Sequence, residues 1–544
     1  MPWFLQAVHV AALSPFGRDQ GIFHYVAWAI LRGETLYHDV RDVNGPLTAM
    51  VHLVFMLLGG TDEHRFRVLD LLVNGAVFAF VGACLPGLWN HPKRPSLWER
   101  AAFGLVGLVV LGAQYLSYVY WHSAQRESFF DWFMLSSVAL QFSAQARFEG
   151  DSEKRAMLRH RNLLFVAGAL GAMPWLGKPT YAAFTFLQMA ALLLDKEMAI
   201  GVRTRVLWFL AGTAAGAMIP LGFMLIHGDV GAYLRVTFQD VPAMYRFIWP
   251  RSVKDLVFPK FQSGSGEVFF GLAGAIVLSV LIFAGKLPRR ALAIALLPLA
   301  GIANIIAQRK GFEYHYHPLS AAVRLQLLLL LVCAVEWARA TLARRPLARM
   351  LPFALAIFTS VVAAHELYTS PHRHRLWLPN HVAQAKTRET QEYFAAFPEW
   401  DFFPWDLRRA AQWIEEHTTP DDRVQTYGMD PYLLFLAKRL SATPYIYAYD
   451  LSPGAPLAGG EGARPNEAQK QKILDIRNAH ERDLLERLEK VPPAAFVFMD
   501  KAPLLSFVDA LEDFAWYCPD SHAWFSERYE EKARFGTVRI FMRR

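Results

Sequence analysis

Stretches of roughly 17–25 residues with almost no charge are long enough to cross a bilayer. In this chain of 544 residues they recur until about residue 370 and then stop. The pattern predicts spans near Pro2–Ser14, Phe66–Leu88, Ala101–Tyr120, Phe129–Ala146, Asn162–Leu176, Thr180–Leu194, Val206–Ile226, Val268–Gly285, Ala291–Ala307, Leu319–Ala338 and Pro352–Tyr368. A further apolar piece, Pro46–Leu58, makes a helix of only about 20 Å, too short for a 30 Å hydrocarbon core, and reads as re-entrant or interfacial. Charged residues are 19% of the chain, against about 25% in soluble proteins. Mean hydropathy is nevertheless only +0.18, so the membrane part shares the chain with a watery one. The expected fold is a polytopic α-helical membrane protein of about eleven spans with a C-terminal soluble α/β domain, divided as residues 1–370 and 371–544.

The positive residues assign the sides. Loops at Trp89–Arg100, Arg147–Arg161, Lys196–Arg205, Lys286–Arg290 and Arg339–Arg349 hold about 18 Lys and Arg in about 53 residues. The alternate loops hold about 13 in about 110. The first set is therefore cytoplasmic, and residues 15–65, 227–266 and the tail face outward from an inner or plasma membrane. The net charge of +8 is then topology, and no nucleic-acid partner is expected. Cys84, Cys333 and Cys518 lie far apart, which leaves neither a disulfide framework nor a Cys-based metal site. No Lys or Arg precedes the first span, so a cleaved leader is not read there, and the sequence is read as starting inside its gene.

Beyond Thr369, short β-branched and aromatic runs at Arg423–Tyr427, Pro444–Tyr449, Ala494–Met499 and Thr537–Met542 read as strands. Helical periodicity lies between them at Leu407–Glu416, Tyr432–Leu440, Glu467–Leu488 and Pro503–Ala515. Ser452–Pro465, rich in Gly, Pro and Ala, reads as a loop. A phosphate-binding glycine motif and a nucleophile elbow are both missing from this part, so it is assigned no chemistry.

Polar residues gather on the outward side at span ends, in four clusters. Gly17-Arg18-Asp19-Gln20-Gly21 opens an amphipathic helix expected to lie in the interface plane, with Asp19 near the headgroups or simply capping the helix. The same segment runs on through Tyr37 and Asp39 to Gly45-Pro46. Gln125-Arg126-Glu127, with Asp131 a turn later, marks either a site or a structural ion pair. Gly177-Lys178-Pro179 places Lys178 at the interface, as a ligand group or as a snorkelling anchor. Gln308-Arg309-Lys310-Gly311 followed by Phe312-Glu313-Tyr314-His315-Tyr316-His317 alternates cations and aromatics, which suits an anionic headgroup. Two histidines at i,i+2 make a weak zinc signal. His372, Arg373, His374 and Arg375 read as an interfacial anchor. Two carboxylates and several cations at one membrane surface suit a reaction on a lipid-linked phosphate.

These residues resemble the GT-C class of membrane glycosyltransferases, in the branch related to protein O-mannosyltransferases and the aminoarabinose transferase of lipid A. The resemblance rests on Asp19-Gln20-Gly21 with Tyr37, Asp39 and Gly45-Pro46, on Gln125-Arg126-Glu127, on Gly177-Lys178-Pro179 and on Tyr314 to Pro318. Asp422-Arg423-Val424 and Tyr427-Gly428 in the tail add to it. The motifs are short and nearly silent on substrate. Gln20 stands where many members have a second acid, and Glu127 where many have Asp.

The resemblance implies an inverting enzyme that moves a sugar from a polyprenyl-phosphate-linked donor to an extracytoplasmic glycolipid, polysaccharide or protein; a transporter or flippase of a lipid-linked or anionic substrate is the alternative. Chemistry leads to the same division of labour. A phosphate-linked anomeric carbon has a good leaving group, so the enzyme must deprotonate the acceptor hydroxyl and neutralise the departing phosphate. Asp19 is expected as base and Glu127 as its partner, with Lys178, Arg309, Lys310, His315, Tyr316 and Asp39 binding substrate. No organic cofactor is implied, and a divalent metal beside Asp19 is left open. The closing expectation is a lid over the site from Gly228–Ser265.

Overall fold

The computed structural model describes residues 2–89, 95–144, 152–195, 201–259, 266–342, 350–369, 388–397 and 402–544. The His372–Arg375 group, the boundary expected at residue 370 and much of the Lys- and Arg-rich loops lie outside the described residues. The chain forms two compact units. The first comprises Met1–Ser14, His64–Leu221 and Lys254–Leu378, the second Pro15–Glu63, Gly222–Val253 and Pro379–Arg544.

Among the described residues, all eleven expected spans coincide with helices. By length and composition six are sufficient to cross a membrane: Glu63–Leu88, Leu97–Ser117, Val202–His227, Arg289–Gln308, Glu313–Thr341 and Leu351–Thr369. The remaining five do not establish a crossing by themselves. Some are short, like Pro2–Leu13 with 12 residues. Arg126–Ser143 instead buries Glu127, Asp131, Ser137 and Gln141, which lowers its hydropathy because its neighbours are helices rather than lipid. Helices Glu153–Ala172 and Val202–His227 meet at small residues: a Cβ on Gly212 would lie 1.8 Å from the Phe165 carbonyl oxygen, and one on Gly216 2.0 Å from that of Ala169. Only glycine permits this approach.

The second unit holds a five-stranded sheet of β1 (Arg423–Tyr427), β2 (Leu440–Ser441), β3 (Ala495–Met499), β4 (Tyr529–Phe535) and β5 (Val538–Arg543), in the order β2-β1-β3-β5-β4. β1 pairs in parallel with β2 and β3, and β5 runs antiparallel to β3 and β4. Tyr427, Phe496, Phe498, Phe514, Phe525 and Phe541 form its core. Pro444–Tyr449 is not a strand. Pro444 has no N–H to give a ladder, and the carbonyls of Tyr445 and Ile446 instead accept from the side chains of Gln425 and Thr426 at 2.9 and 2.8 Å.

Segment 15–63 belongs to this unit through buried ion pairs. Arg18 Nε lies 2.7 Å from Asp430, Arg41 lies 2.8 Å from Asp450 and 2.6 Å from Asp240, and Arg408 lies 2.6 Å from Glu63. Tyr25 Oη accepts the Ser441 N–H at 2.9 Å. Helix Arg18–Leu31 is therefore buried on nearly every side, and a Cβ on Gly21 would strike Tyr432 at 2.7 Å. The expected interfacial placement of this helix is corrected: protein rather than headgroups covers it. Helix Pro46–Gly59 leaves Val54, Leu57 and Leu58 exposed, as a short apolar helix does when part of its surface lacks a protein partner.

Candidate functional site

In the first unit, three separate segments place charged groups around Glu127. Gln125 takes the N-cap position of helix Arg126–Ser143, which puts Glu127 in its first turn. Its side chain is wholly buried. Lys178 Nζ donates to Glu127 Oε1 at 2.6 Å, and Arg126 Nε lies 3.1 and 3.3 Å from the two carboxylate oxygens. Burial works against the charge, but Arg126 and Lys178 outweigh it and hold the Glu127 carboxyl well below the usual range. Glu127 is thus an ion-paired anchor for two cations.

Lys178 is presented by a tight turn. Its backbone N–H donates to the Pro174 carbonyl at 2.8 Å, and it precedes the 3₁₀ turn Pro179–Tyr181. Gly177 allows the turn, since a Cβ there would lie 2.3 Å from the Phe130 ring. Lys178 Nζ also donates to Gln308 Oε1, and Thr180 donates to Asn304. The helix ending at Gln308 is thereby joined to the Lys178 turn.

From the fourth expected cluster, His315 Nε2 stands 3.7 Å from Glu127 Oε1, and neither ring nitrogen has a hydrogen-bond partner among the described residues. Lys310 is buried, and desolvation lowers its pKa to about 7. Arg309 is exposed and ends its helix in left-handed backbone at φ 56°. Asp131, one turn beyond Glu127, is buried with Oδ1 unpartnered.

The structure therefore brings Glu127, Lys178 and His315 together. Two other expected substrate ligands make hydrogen bonds within the protein. The Tyr316 hydroxyl donates to the Leu256 carbonyl at 2.7 Å inside an apolar cluster. Asp39, in the second unit, accepts from the Thr35 N–H at 2.9 Å and lies 2.7 Å from His38 Nδ1. Asp19, also in the second unit, lies in the first turn of helix Arg18–Leu31, whose N-cap is Gly17. It is not the N-cap residue, and the helix dipole favours its negative charge there.

Sequence reasoning missed Gln308 as the second partner of Lys178, although Gln308 adjoins Arg309 in a quoted cluster. It also missed the cluster of Arg41, Asp240 and Asp450, whose members are about 200 residues apart. Asp240 and the Pro250 carbonyl, which accepts the Gly462 N–H at 2.8 Å, tie residues 228–253 of the segment expected as a lid into the second unit, while its residues from Lys254 on belong to the first. Residues 260–265 of that segment lie outside the described residues. Among the described residues, His, Cys, Asp and Glu form no group of three able to hold a metal ion. Of the histidine pair, His317 bonds the His122 carbonyl at 2.8 Å and stacks on Tyr118.

No family model matches the chain, and no curated protein matches it in sequence. Solved structures do. ArnT from Cupriavidus metallidurans in the apo state superposes with a TM-score of 0.54 at 14% identity, covering 98% of this chain and 95% of that one. The same protein bound to undecaprenyl phosphate gives 0.53 at 13% identity, covering 99% and 95%. The Archaeoglobus fulgidus oligosaccharyltransferase gives 0.42 at 12% identity over 92% of this chain and 67% of that one, a likeness too low to carry an argument. With the two ArnT matches running over nearly its whole length, the chain is an integral membrane protein with the fold of ArnT.

Proposed function

We propose that this protein is an inverting glycosyltransferase that takes a sugar from a polyprenyl-phosphate-linked donor and passes it to a glycan, lipid or protein acceptor outside the cytoplasm. The observation that carries the reading is the buried Lys178–Glu127–Arg126 cluster, where two cations answer one carboxylate in a water-poor setting. Fixed positive charge in such a place stabilises a departing phosphate far more than it would in water. The fold supports the donor class, since ArnT has been solved with undecaprenyl phosphate bound.

In this reading Lys178 and Arg126 neutralise the lipid phosphate, Glu127 holds them in place, and Lys310, Arg309 and His315 add to the positive surroundings. Asp19 takes the proton of the acceptor hydroxyl. A side-chain carboxylate is a suitable general base for that proton. The side of the membrane follows from the Lys and Arg bias of the loops, which directs the C-terminal domain, read as residues 371–544, out of the cytoplasm.

Deleting the gene and comparing envelope glycans and polyprenyl-linked sugars by mass spectrometry tests the reading. The expected result is loss of one sugar modification and accumulation of its lipid-linked donor. An unchanged envelope and donor pool would overturn it.

A further inference from the structure

The chain between Val119 and Gln125 runs straight into Arg126 and Glu127, and it is bent against the preference of its side chains. Val119 and Ala124 both adopt left-handed backbone, at φ 53° and 52°. For a β-branched residue this is costly, and it persists only where the surroundings over-determine it.

Those surroundings are three anchors. The Tyr115 hydroxyl accepts the Ala124 N–H at 2.8 Å and donates to Asp70. Asp70 in turn accepts from Asn74 at 3.0 Å, and Asn74 accepts from Trp132 at 2.9 Å. The Arg67 guanidinium donates to the Tyr120 carbonyl at 2.9 Å and to the carbonyl and hydroxyl of Ser123 at 3.2 Å each. From the segment that bears His315, the His317 ring bonds the His122 carbonyl at 2.8 Å, and Glu313 lies 3.0 Å from the His122 ring.

Arg67 and Asp70 are both buried, and burying charged side chains at membrane depth is expensive. A turn needed only for connectivity would use glycine or asparagine, which adopt left-handed backbone cheaply. We propose that Arg67, Asp70 and Tyr115 are positioning residues that hold the 119–125 segment in its strained form so that Arg126 and Glu127 meet Lys178 in phosphate-binding geometry. The inference rests on the reading of the Glu127 cluster as a phosphate site. The three residues act through Glu127.

The test is a double-mutant cycle on the purified full chain, read as the Kd for undecaprenyl phosphate. Tyr115→Phe should weaken binding about 5- to 10-fold, because the hydroxyl's bonds to Ala124 and Asp70 are both lost. In a Glu127→Gln background the same change should cost less than about 2-fold, because coupled residues are non-additive. Tyr427→Phe is the structural control: it removes a 2.7 Å Tyr–Asp bond to Asp513 in the other unit and should leave Kd unchanged in both backgrounds. If Tyr115→Phe does not fold, Arg67→Lys replaces it, keeping the charge but losing the fork that spans two carbonyls. Equal losses with and without Glu127→Gln overturn the positioning role alone. A wild type that does not bind undecaprenyl phosphate overturns the phosphate-site reading, and the inference with it.

Discussion

Lys178 Nζ stands 2.6 Å from Glu127 Oε1 although the two residues are 51 positions apart, and the carboxylate is buried from solvent. Removing one partner of such a pair leaves an uncompensated buried charge, which costs about 3–5 kcal/mol. Glu127→Ala should therefore lower stability by about that amount, with Glu127→Gln milder. Thermal unfolding in detergent checks this, and equal melting temperatures for Glu127→Ala and wild type would deny the pair its structural part.

Lys178→Met should reduce sugar transfer at least about 100-fold, on the scale of losing one preorganised charge-stabilising group. Lys178→Arg should restore part of it, since the charge returns with different geometry. Rates from a donor-consumption assay decide this. Restoration to wild-type rate by an uncharged residue would remove Lys178 from phosphate neutralisation.

Lys310 carries a pH prediction. Burial lowers its pKa to about 7, so the cation is present below that pH and lost above it. Affinity for a lipid phosphate should then fall as pH rises through about 7 to 8. Lys310→Arg should flatten that limb, because arginine keeps its charge throughout. Kd measured from pH 6 to 9 for both proteins is the check, and identical profiles would contradict the role.

In the second unit, Arg41 answers both Asp450 and Asp240. Arg41→Met should destabilise that unit by about 3–5 kcal/mol. Burial opposes ionisation of Asp240, but His480 and Arg41 outweigh it and hold its carboxyl below the ordinary value. A lowered carboxyl stabilises above the unfolded pKa of about 3.9 and loses that stabilisation as pH falls through the folded value. Acid unfolding of wild type should therefore show a steeper fall below about pH 4 than Arg41→Met, when both are followed by tryptophan fluorescence. Parallel curves would remove the linkage.

Much of this molecule was legible because its signals are local. Among the described residues each of the eleven apolar windows coincides with a helix, and six of these helices are long and apolar enough to cross a membrane, since a helix satisfies its own backbone within one continuous segment. β1 was read to the residue from its β-branched run. β4 was missed because Tyr529–Phe535 is an exposed, charge-rich edge strand, the form in which edges avoid sticking; Gly536, at φ 55° before β5, was its one turn signal. Asp39 and Tyr316 were named from the motifs they sit in, and their bonds to the Thr35 amide and the Leu256 carbonyl are facts of the folded chain. Burial of helix Arg18–Leu31 by residues near 430 and 440 depends on packing across some 400 positions, which periodicity in one helix does not encode. Glu127 and Lys178 were named as candidates from their clusters, whereas the ion pair between them is a fact of tertiary structure.

Transfer itself is the most direct test. The full chain, reconstituted in lipid with an undecaprenyl-phosphate-linked sugar and an envelope acceptor extract, should release undecaprenyl phosphate. Asp19→Asn and Lys178→Met should each cut release at least about 100-fold while remaining inserted and folded. Wild-type-like release by both variants, or no acceptor-dependent release from the wild type with any donor sugar, would contradict the account.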